Sequence, residues 1–478
     1  MGKHYQTGCV FKYLAILICV MISMKVTNGT GFLVVIPFLF YSLLKGNVAD
    51  LFFYLLLTVS MLMGNQYLMP KNVPFAMAQR SMLVVLGAIM ALRCAGQRNS
   101  PEVKPLLLII PYLMVAVVSS LQGWNAIISL MKIFLFIMVY IAYFGVANQV
   151  AFGKRESVNG HVRAAFLAVA LFFIGGSLAL LPFPAIGQLS GREFEEARKS
   201  GMAMTSLFRG MTMHSQSLGP IVVILFVVLL GDLILSIRRA DKLYLTLIFI
   251  CPILIYQTSS RTAMGSLIIG VFVLLYYTMK ARGLESSWKS KIVNAFLLTF
   301  VMGLILVLAV PSIRDDIGRF AVKTGGVAAK DVTLEQITST RQGKWDEGIA
   351  NFRKSPIIGN GFQVDESMIG LQSGFKVLSA PVEKSVWISA VLEETGVVGF
   401  SIFMLYILIV LHKGNVRRCY IGNAAFLILT VSNLGEFTFF SMSYTGGFQW
   451  AMVFVGYMFD AVRNRAQRAM STRPMMGG

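Results

Sequence analysis

Long apolar blocks alternate with short polar linkers along almost the whole chain. About fourteen blocks are long enough, allowing for tilt and short ends, to cross the roughly 30 Å hydrocarbon core of a bilayer. They centre near residues 11–24, 31–44, 50–64, 80–93, 105–120, 127–148, 163–183, 217–237, 242–257, 262–279, 292–312, 386–411, 419–434 and 447–461. Because lipid cannot hydrogen-bond the backbone, each block is expected to be a helix. The pattern predicts an all-α fold, a polytopic bundle of about 12–14 transmembrane helices.

Two polar linkers are much longer than the others, at about residues 184–216 and 313–385. A structureless loop longer than about fifteen residues is usually functional or disordered, and the second linker contains a helical pattern. In that linker Trp345, Ile349 and Phe352 recur at helical spacing before Pro356, which predicts a short amphipathic helix. We therefore expect a helical cap over the bundle.

The linkers divide the chain into three parts. Residues 1–312 are predicted to form an N-terminal bundle of about eleven spans, and 313–385 a large external loop. Residues 386–478 would form the last spans and a basic tail.

Composition agrees with a membrane protein. The 478 residues are 56% hydrophobic and only 13% charged, whereas a soluble chain carries about a quarter charged residues. The net charge of +20 comes from short basic clusters between apolar blocks, without interleaved aromatics, so nucleic acid is not expected as a partner. Since the five cysteines show no CxxC spacing, we expect no structural disulfide, metal site or cofactor.

The basic clusters also predict orientation. With a cytoplasmic N-terminus, the strongly basic linkers all fall inside: they hold Arg93, Arg98, Lys104, Lys154, Arg155, Arg163, Arg238, Arg239, Lys242, Lys280, Arg282, Lys289, Lys291, Lys413, Arg417, Arg418, Arg463, Arg465, Arg468 and Arg473. This places both termini in the cytoplasm and the two long loops in the periplasm of a bacterial inner membrane. Lys132 and Asp232 lie near predicted span ends, where we expect their side chains to snorkel to the interface.

Four short motifs stand on the predicted outer side. The first is Ser260-Arg261-Thr262-Ala263 at the start of a span. The second and third are the run Arg341, Trp345, Phe352, Ser355-Pro356-Ile357, Gly359-Asn360-Gly361-Phe362 and the run Leu392-Glu393-Glu394-Thr395-Gly396-Val397-Val398-Gly399. The fourth is Arg209-Gly210 followed by His214-Ser215-Gln216-Ser217-Leu218. Together they resemble, in order, spacing and sidedness, the bacterial O-antigen ligases and O-antigen or exopolysaccharide polymerases (the WaaL and Wzy group).

The resemblance covers roughly residues 209–400 and implies a metal-independent glycosyltransferase. Such an enzyme moves a glycan from a polyprenyl diphosphate carrier to an acceptor glycan hydroxyl on the periplasmic face, with a flippase and a chain-length regulator as possible partners. Ligases of the group carry a His about eleven residues before the Glu-Thr-Gly glycine, where this chain reads Glu383-Lys384-Ser385-Val386. The resemblance therefore favours a polymerase over a ligase, and a lipid-linked oligosaccharide flippase is the rival of another class.

Arg261 and Arg341 are the expected diphosphate-binding groups, because a guanidinium binds phosphate oxygens bidentately and stays charged. A general base must accept the proton of the acceptor hydroxyl. The candidates are Glu394, Glu383, His214 and a Lys384 of lowered pKa. Lys384 could instead bind phosphate, and Glu394 could be a helix-end carboxylate in an ion pair.

Three further residues are candidates for substrate binding. Ser260 belongs to the Ser-Arg motif, and Arg209 could line an anionic entry path. Trp345 could stack on a sugar ring, although its helical spacing with Ile349 and Phe352 favours a place in the core.

Overall fold

The structure is a computed structural model, and it describes residues 7–70, 73–94, 97–152, 156–188, 208–235, 242–258, 260–281, 345–369, 384, 386–435, 437–442 and 445–471. Within these ranges the regular elements are helices, accompanied by two isolated β-bridges. The all-α prediction is therefore confirmed. Arg341 and Glu383 lie outside the described residues, as do most of both long loops.

The helices follow one another with short connections. The first group is α1 (Thr7–Val26), α2 (Val35–Lys45), α3 (Val48–Met63), α4 (Val73–Cys94), α5 (Ile110–Gln122), α6 (Ala126–Phe152), α7 (Glu156–Ala170, continued by a π-helical turn Leu171–Gly175 and by Gly176–Leu180) and the short α8 (Pro184–Gly187). The second group is α9 (Ser215–Leu235), α10 (Lys242–Gln257), α11 (Arg261–Lys280), α12 (345–354), α13 (Trp387–Val416), α14 (Tyr420–Ser432) and α15 (Thr445–Ser471). The turns Thr30–Val34 and Lys104–Ile109 extend α2 and α5 as 3₁₀-helices.

Eight helical segments of the described chain are long and apolar enough to cross a membrane. They are Thr7–Val26, Met77–Cys94, Lys104–Gln122, Ala126–Phe152, Asn159–Leu180, Gln216–Leu235, Arg261–Lys280 and Trp387–Val416. Four shorter apolar helices and α15 coincide with five more predicted blocks, and the block at 292–312 lies outside the described residues. The chain is therefore a multi-pass, all-helical membrane protein.

Burial separates central helices from peripheral ones. The apolar window of α9 is 100% buried, whereas that of α1 is 28% buried. A helix that is apolar on every side belongs in the centre of a bundle, while one buried on a single stripe presents its other face to lipid. α3 is also almost wholly buried, so α3 and α9 lie within the bundle.

The linkers predicted to lie inside meet at one end of the bundle, called here the basic end. Arg468 contacts Glu102 at 2.9 Å, and Lys280 Nζ donates to Asn415 Oδ1 at 2.9 Å. The backbone N–H of Ser100 donates to Asn148 Oδ1 at 2.7 Å. These contacts join the linkers after α4, α6, α11, α13 and the last turns of α15.

The remaining connections meet at the opposite end, called here the loop end. Its contacts include the N–H of Asn65 donating to the Met211 carbonyl at 2.9 Å and that of Trp124 to the Asn360 carbonyl at 3.0 Å. All the described residues of the four motifs lie at this end.

One expectation about polar residues within spans is wrong. Asp232 is buried on α9 and accepts from Arg163 of α7 at 2.7 Å and from the Tyr244 hydroxyl of α10 at 3.0 Å. An ion pair between three helices satisfies the carboxylate inside the bundle, so it does not reach the interface.

Candidate functional site at the loop end

Two motifs far apart in sequence form one hydrogen-bonded unit. The N–H groups of Asn360 and Gly361 donate to the carbonyls of Glu393 and Glu394 at 2.9 and 3.2 Å. In return, the N–H groups of Val397 and Val398 donate to the carbonyls of Pro356 and Ile357 at 2.9 and 3.3 Å. The Ser-Pro…Gly-Asn-Gly run and the Glu-Glu-Thr-Gly run are thus two sides of the same structure.

The exchange exists because α13 is kinked at Gly396, which has φ 65 and ψ −169. A kink breaks the regular ladder and leaves carbonyls before it and N–H groups after it without helical partners. The loop 356–361 supplies the missing partners on both sides. The kink is therefore stabilised from outside the helix.

Glycine is required at both contact points. Gly359 has φ 87, and a Cβ on it would overlap the backbone of Glu394 and Thr395. A Cβ on Gly396 would overlap the carbonyl of Ile357. Positive φ and close backbone approach together explain the glycines of both motifs.

Serines of the α5–α6 hairpin hold this unit on the bundle. The Ser119 hydroxyl donates to the Glu394 carbonyl and accepts from the N–H of Gly361 at 3.1 Å. The Ser129 hydroxyl donates to the Phe362 carbonyl at 2.7 Å. These two residues were missed by sequence reasoning, because serines on an apolar helix carry no signal of a distant partner.

A buried ionic cluster lies beneath the loop. Lys384 Nζ is 3.2 Å from Oε1 of Glu393 and 3.2 Å from Oε1 of Glu394, and the three side chains are 7%, 6% and 0% exposed. Asn351 of α12 donates to Glu393 Oε1 at 3.3 Å. We call Lys384, Glu393 and Glu394 the ionic cluster.

The pKa of Lys384 is raised from its ordinary value. Burial disfavours the ammonium form, but the neighbouring carboxylates of Glu394 and Glu393 outweigh burial. The prediction of a Lys384 with a lowered pKa, able to act as a base, is therefore wrong. Lys384 is a fixed cation in this site.

Lys132 of α6 joins the cluster, contrary to the expectation that it snorkels to the interface. It is 8% exposed, and its Nζ donates to the Gln363 carbonyl at 2.7 Å. Its charge interacts with those of Glu394, Lys384 and Asp365, and with Arg80 of α4. The loop after α12 provides the acceptor that keeps this lysine inside the bundle.

The Ser-Arg motif begins α11. Ser260 is the N-cap, and its hydroxyl accepts from the N–H of Ala263 at 3.3 Å. Capping fixes the start of the helix and so places Arg261, half-buried, at its first residue. Ser260, predicted to bind substrate, has a structural role in this arrangement.

A connection between α14 and α15 links Arg261 to the ionic cluster. A Cβ on Gly435 would overlap the side chain of Thr262, the residue after Arg261. In the same connection, the N–H of Phe437 donates to the Lys384 carbonyl at 3.2 Å. The first and third motifs therefore pack against one segment.

The Arg-Gly motif is anchored separately, on α3, α7 and α8. Arg209 is buried, and its N–H donates to the Gly187 carbonyl at 2.8 Å. Gly210 has φ 51, its carbonyl accepts from the Asn65 side chain at 2.8 Å, and a Cβ on it would overlap Ser177. The predicted entry-path arginine is thus held in a tightly packed turn.

His214 lies beyond this turn with an exposed side chain, at the start of α9. A Cβ on Gly219, in the second turn of α9, would lie 2.7 Å from Cβ of Ala263 and 3.0 Å from Cβ of Ser260. The starts of α9 and α11 are therefore in contact, which brings the fourth motif beside the first.

The core placement favoured for Trp345 is wrong. Trp345 and Ile349 are 41% and 46% exposed, whereas Gly348 and Asn351 are buried. α12 packs through its small and polar side, with Gly348 against Ser389 and Glu393. Contact with the ionic cluster, rather than hydrophobic spacing, decides which face is buried.

The described residues contain no group of three or more His, Cys, Asp or Glu side chains that could hold a metal ion. The five cysteines are free thiols.

No family model, no curated protein and no solved structure matches this chain. The fold itself defines the class: an all-helical, multi-pass membrane protein with a buried ionic cluster at one end.

Proposed function

We propose that this protein is a bacterial inner-membrane polymerase. It transfers a polyprenyl-diphosphate-linked glycan to a hydroxyl of an acceptor sugar, in the assembly of an exopolysaccharide, a capsule or an O-antigen. The observation that carries the proposal is the reciprocal backbone exchange between loop 356–361 and residues 393–398. Motifs resembling those of the WaaL and Wzy group, about thirty residues apart, assemble at one end with Arg261 nearby, as a site built for one purpose requires.

The proposed reaction breaks the bond between the anomeric carbon and the carrier's diphosphate oxygen. The acceptor hydroxyl forms the new glycosidic bond, its proton passes to a general base, and the diphosphate leaves on the polyprenyl carrier. Negative charge gathers on the diphosphate in the transition state, where a guanidinium is most effective. Arg261 fills this role, with Arg341 as its proposed partner.

Lys384 and Lys132 add positive charge near the reacting end. Lys384 remains protonated between two carboxylates, and Lys132 is fixed by the Gln363 carbonyl. Such fixed cations stabilise a diphosphate without needing a divalent ion. The hydrocarbon tail of the carrier would remain in the bilayer beside the bundle.

The base is proposed from the contrast between two candidates. Glu394 is 0% exposed and paired with Lys384, an arrangement that suits a group positioning the Gly359–Gly361 loop. His214 has an exposed side chain that an acceptor sugar arriving from solvent can reach. We therefore assign the proton transfer to His214 and keep Glu394 as the alternative.

Arg261 provides the direct test. Purified protein in liposomes receives a lipid-linked repeat unit, and products are resolved as carrier-linked glycans on a gel. Wild type should convert single repeats into a ladder, and Arg261→Ala should reduce the rate on the order of a hundredfold. Arg261→Lys should recover only part of the rate, since a lysine cannot bind a diphosphate bidentately.

The matched control is Arg353→Ala, which removes an exposed guanidinium at the same end. It should leave the ladder unchanged. Transfer of a finished glycan to lipid A core without any ladder would identify a ligase. Movement of the lipid-linked glycan across the bilayer without bond formation would identify a flippase, and either outcome would reject the polymerase.

A further inference from the structure

A cavity of about 450 Å³ lies at the basic end, away from the proposed catalytic site. It opens between the ends of α11, α13, α14 and α15, and three of its lining residues are cations: Lys280, Arg418 and Arg463. This volume falls within the range of about 300–1,000 Å³ typical of ligand sites.

Arg463 supplies a buried donor that the protein leaves unused. Its side chain is 8% exposed, and its Nη2 is 2.9 Å from Oδ1 of the fully buried Asp460. Nη1 has no hydrogen-bond partner among the described residues. A buried guanidinium nitrogen without a partner is costly, so an acceptor bound in the cavity would stabilise it.

The other cations differ in their surroundings. Arg418 has φ 58, an uncommon backbone state for a residue other than glycine. Lys280 Nζ donates to Asn415 Oδ1 at 2.9 Å, which is a neutral partner. Only Arg463 is therefore neutralised by a carboxylate here, and the described lining of the cavity keeps a positive charge.

Apolar surface continues from the cavity toward the expected lipid phase. Val416, which lines the cavity, is 69% exposed, and Tyr276 and Met279 on α11 are 52% and 54% exposed. A ligand with a phosphate head and acyl chains matches both surfaces at once. Basic pockets between transmembrane helices are known to suit anionic lipid headgroups.

We propose that this cavity binds the phosphate of an anionic phospholipid. The phosphate oxygens would accept from Nη1 of Arg463 and from the side chains of Arg418 and Lys280, and the acyl chains would lie along Val416 and Met279. The site is independent of the proposed catalytic function.

Native mass spectrometry of the full chain in detergent tests the proposal. The protein is titrated with phosphatidylglycerol and, separately, with phosphatidylcholine of the same acyl chains. Wild type should prefer phosphatidylglycerol. The double variant Lys280→Gln, Arg418→Gln should bind it about 25-fold more weakly, at about fivefold for each cation lost.

The matched control is Lys45→Gln, Lys413→Gln, which removes the same charge from exposed positions at the same end. It should bind like wild type. Arg463→Lys, which keeps the pair with Asp460, should weaken binding, and unchanged thermal midpoints would show that the variants fold.

Two outcomes would overturn the proposal. One is an equal loss of phosphatidylglycerol in both double variants, which would indicate general surface charge. The other is inorganic phosphate binding that depends on Lys280 and Arg418 while phosphatidylglycerol binds no better than phosphatidylcholine. The ligand would then be a soluble phosphate.

Discussion

Lys384 carries the largest electrostatic load of any single side chain in the candidate site. It is buried between the carboxylates of Glu393 and Glu394, at 3.2 Å from each. In such a cluster each charge is tolerated only because the others are present. The cluster also connects the two motifs, since the carbonyls of the same glutamates accept from Asn360 and Gly361.

Replacement of the lysine should therefore destabilise the fold as well as the site. We expect Lys384→Met to lower the free energy of unfolding by about 3 kcal/mol, because two buried carboxylates lose their counter-ion. Denaturant unfolding of the purified protein in detergent, followed by tryptophan fluorescence, measures this change. Adding Glu393→Gln to Lys384→Met should recover part of the loss.

Lys354→Met is the matched control for that prediction. Lys354 also pairs with a glutamate, Glu366, at 2.7 Å, but the two side chains are 47% and 58% exposed. Solvent screens an exposed pair, so its loss should cost at most about 1 kcal/mol. Equal effects of the two substitutions would show that the ionic cluster contributes little.

The raised pKa of Lys384 also fixes a pH dependence. A lysine whose folded pKa lies above its unfolded value, about 10.4, stabilises the fold fully below that value. The contribution is lost as pH rises through the folded pKa. We expect the stability difference between wild type and Lys384→Gln to be constant as lysine titration is concerned from pH 6 to about pH 9, and to fall above about pH 10.4.

At the scale of elements, the kink in α13 and loop 356–361 depend on each other. Neither has a complete set of backbone hydrogen bonds alone, and each supplies the other's missing partners. A substitution in one element should therefore damage both.

Gly359→Ala and Gly396→Ala test this dependence. Both positions combine positive φ with backbone contact, so each substitution should cost about 2 kcal/mol or more and lower the thermal midpoint. Under the proposed function, glycan transfer should fall as well. The comparison is Gly265→Ala on α11, where a Cβ would meet nothing within 4 Å. That variant should stay within about 1 kcal/mol of wild type, and a similar loss in all three would contradict the exchange.

At the scale of the whole molecule, the basic linkers and the motifs occupy opposite ends of one bundle. Positive-inside bias places the basic end in the cytoplasm and the candidate site in the periplasm. An enzyme using carrier-linked glycan on the outer face requires this orientation.

Cysteine labelling in whole cells tests the orientation. In a background without the five native cysteines, Tyr67→Cys places an exposed thiol at the loop end and Lys413→Cys one at the basic end. A membrane-impermeant maleimide should label the first in intact spheroplasts and the second only after permeabilisation. The reverse pattern would place the candidate site in the cytoplasm and exclude the proposed function.

The sequence by itself determined the helices, their approximate ends and their division between two ends of the bundle. These features depend on local composition: apolar length makes a span, and basic clusters mark one set of linkers. It also identified Lys384, Glu394 and the glycines 359, 361 and 396 as members of common motifs.

Only the tertiary structure decided which of these residues meet. Lys132 is kept from the interface by the Gln363 carbonyl, more than two hundred residues along the chain (|i−j| = 231). Ser119 reaches Gly361 and Glu394 in the same way, and Trp345 is exposed because α12 packs toward Glu393. Such contacts leave no periodic signal, because the energy of burying a polar group depends on partners that are distant in the chain.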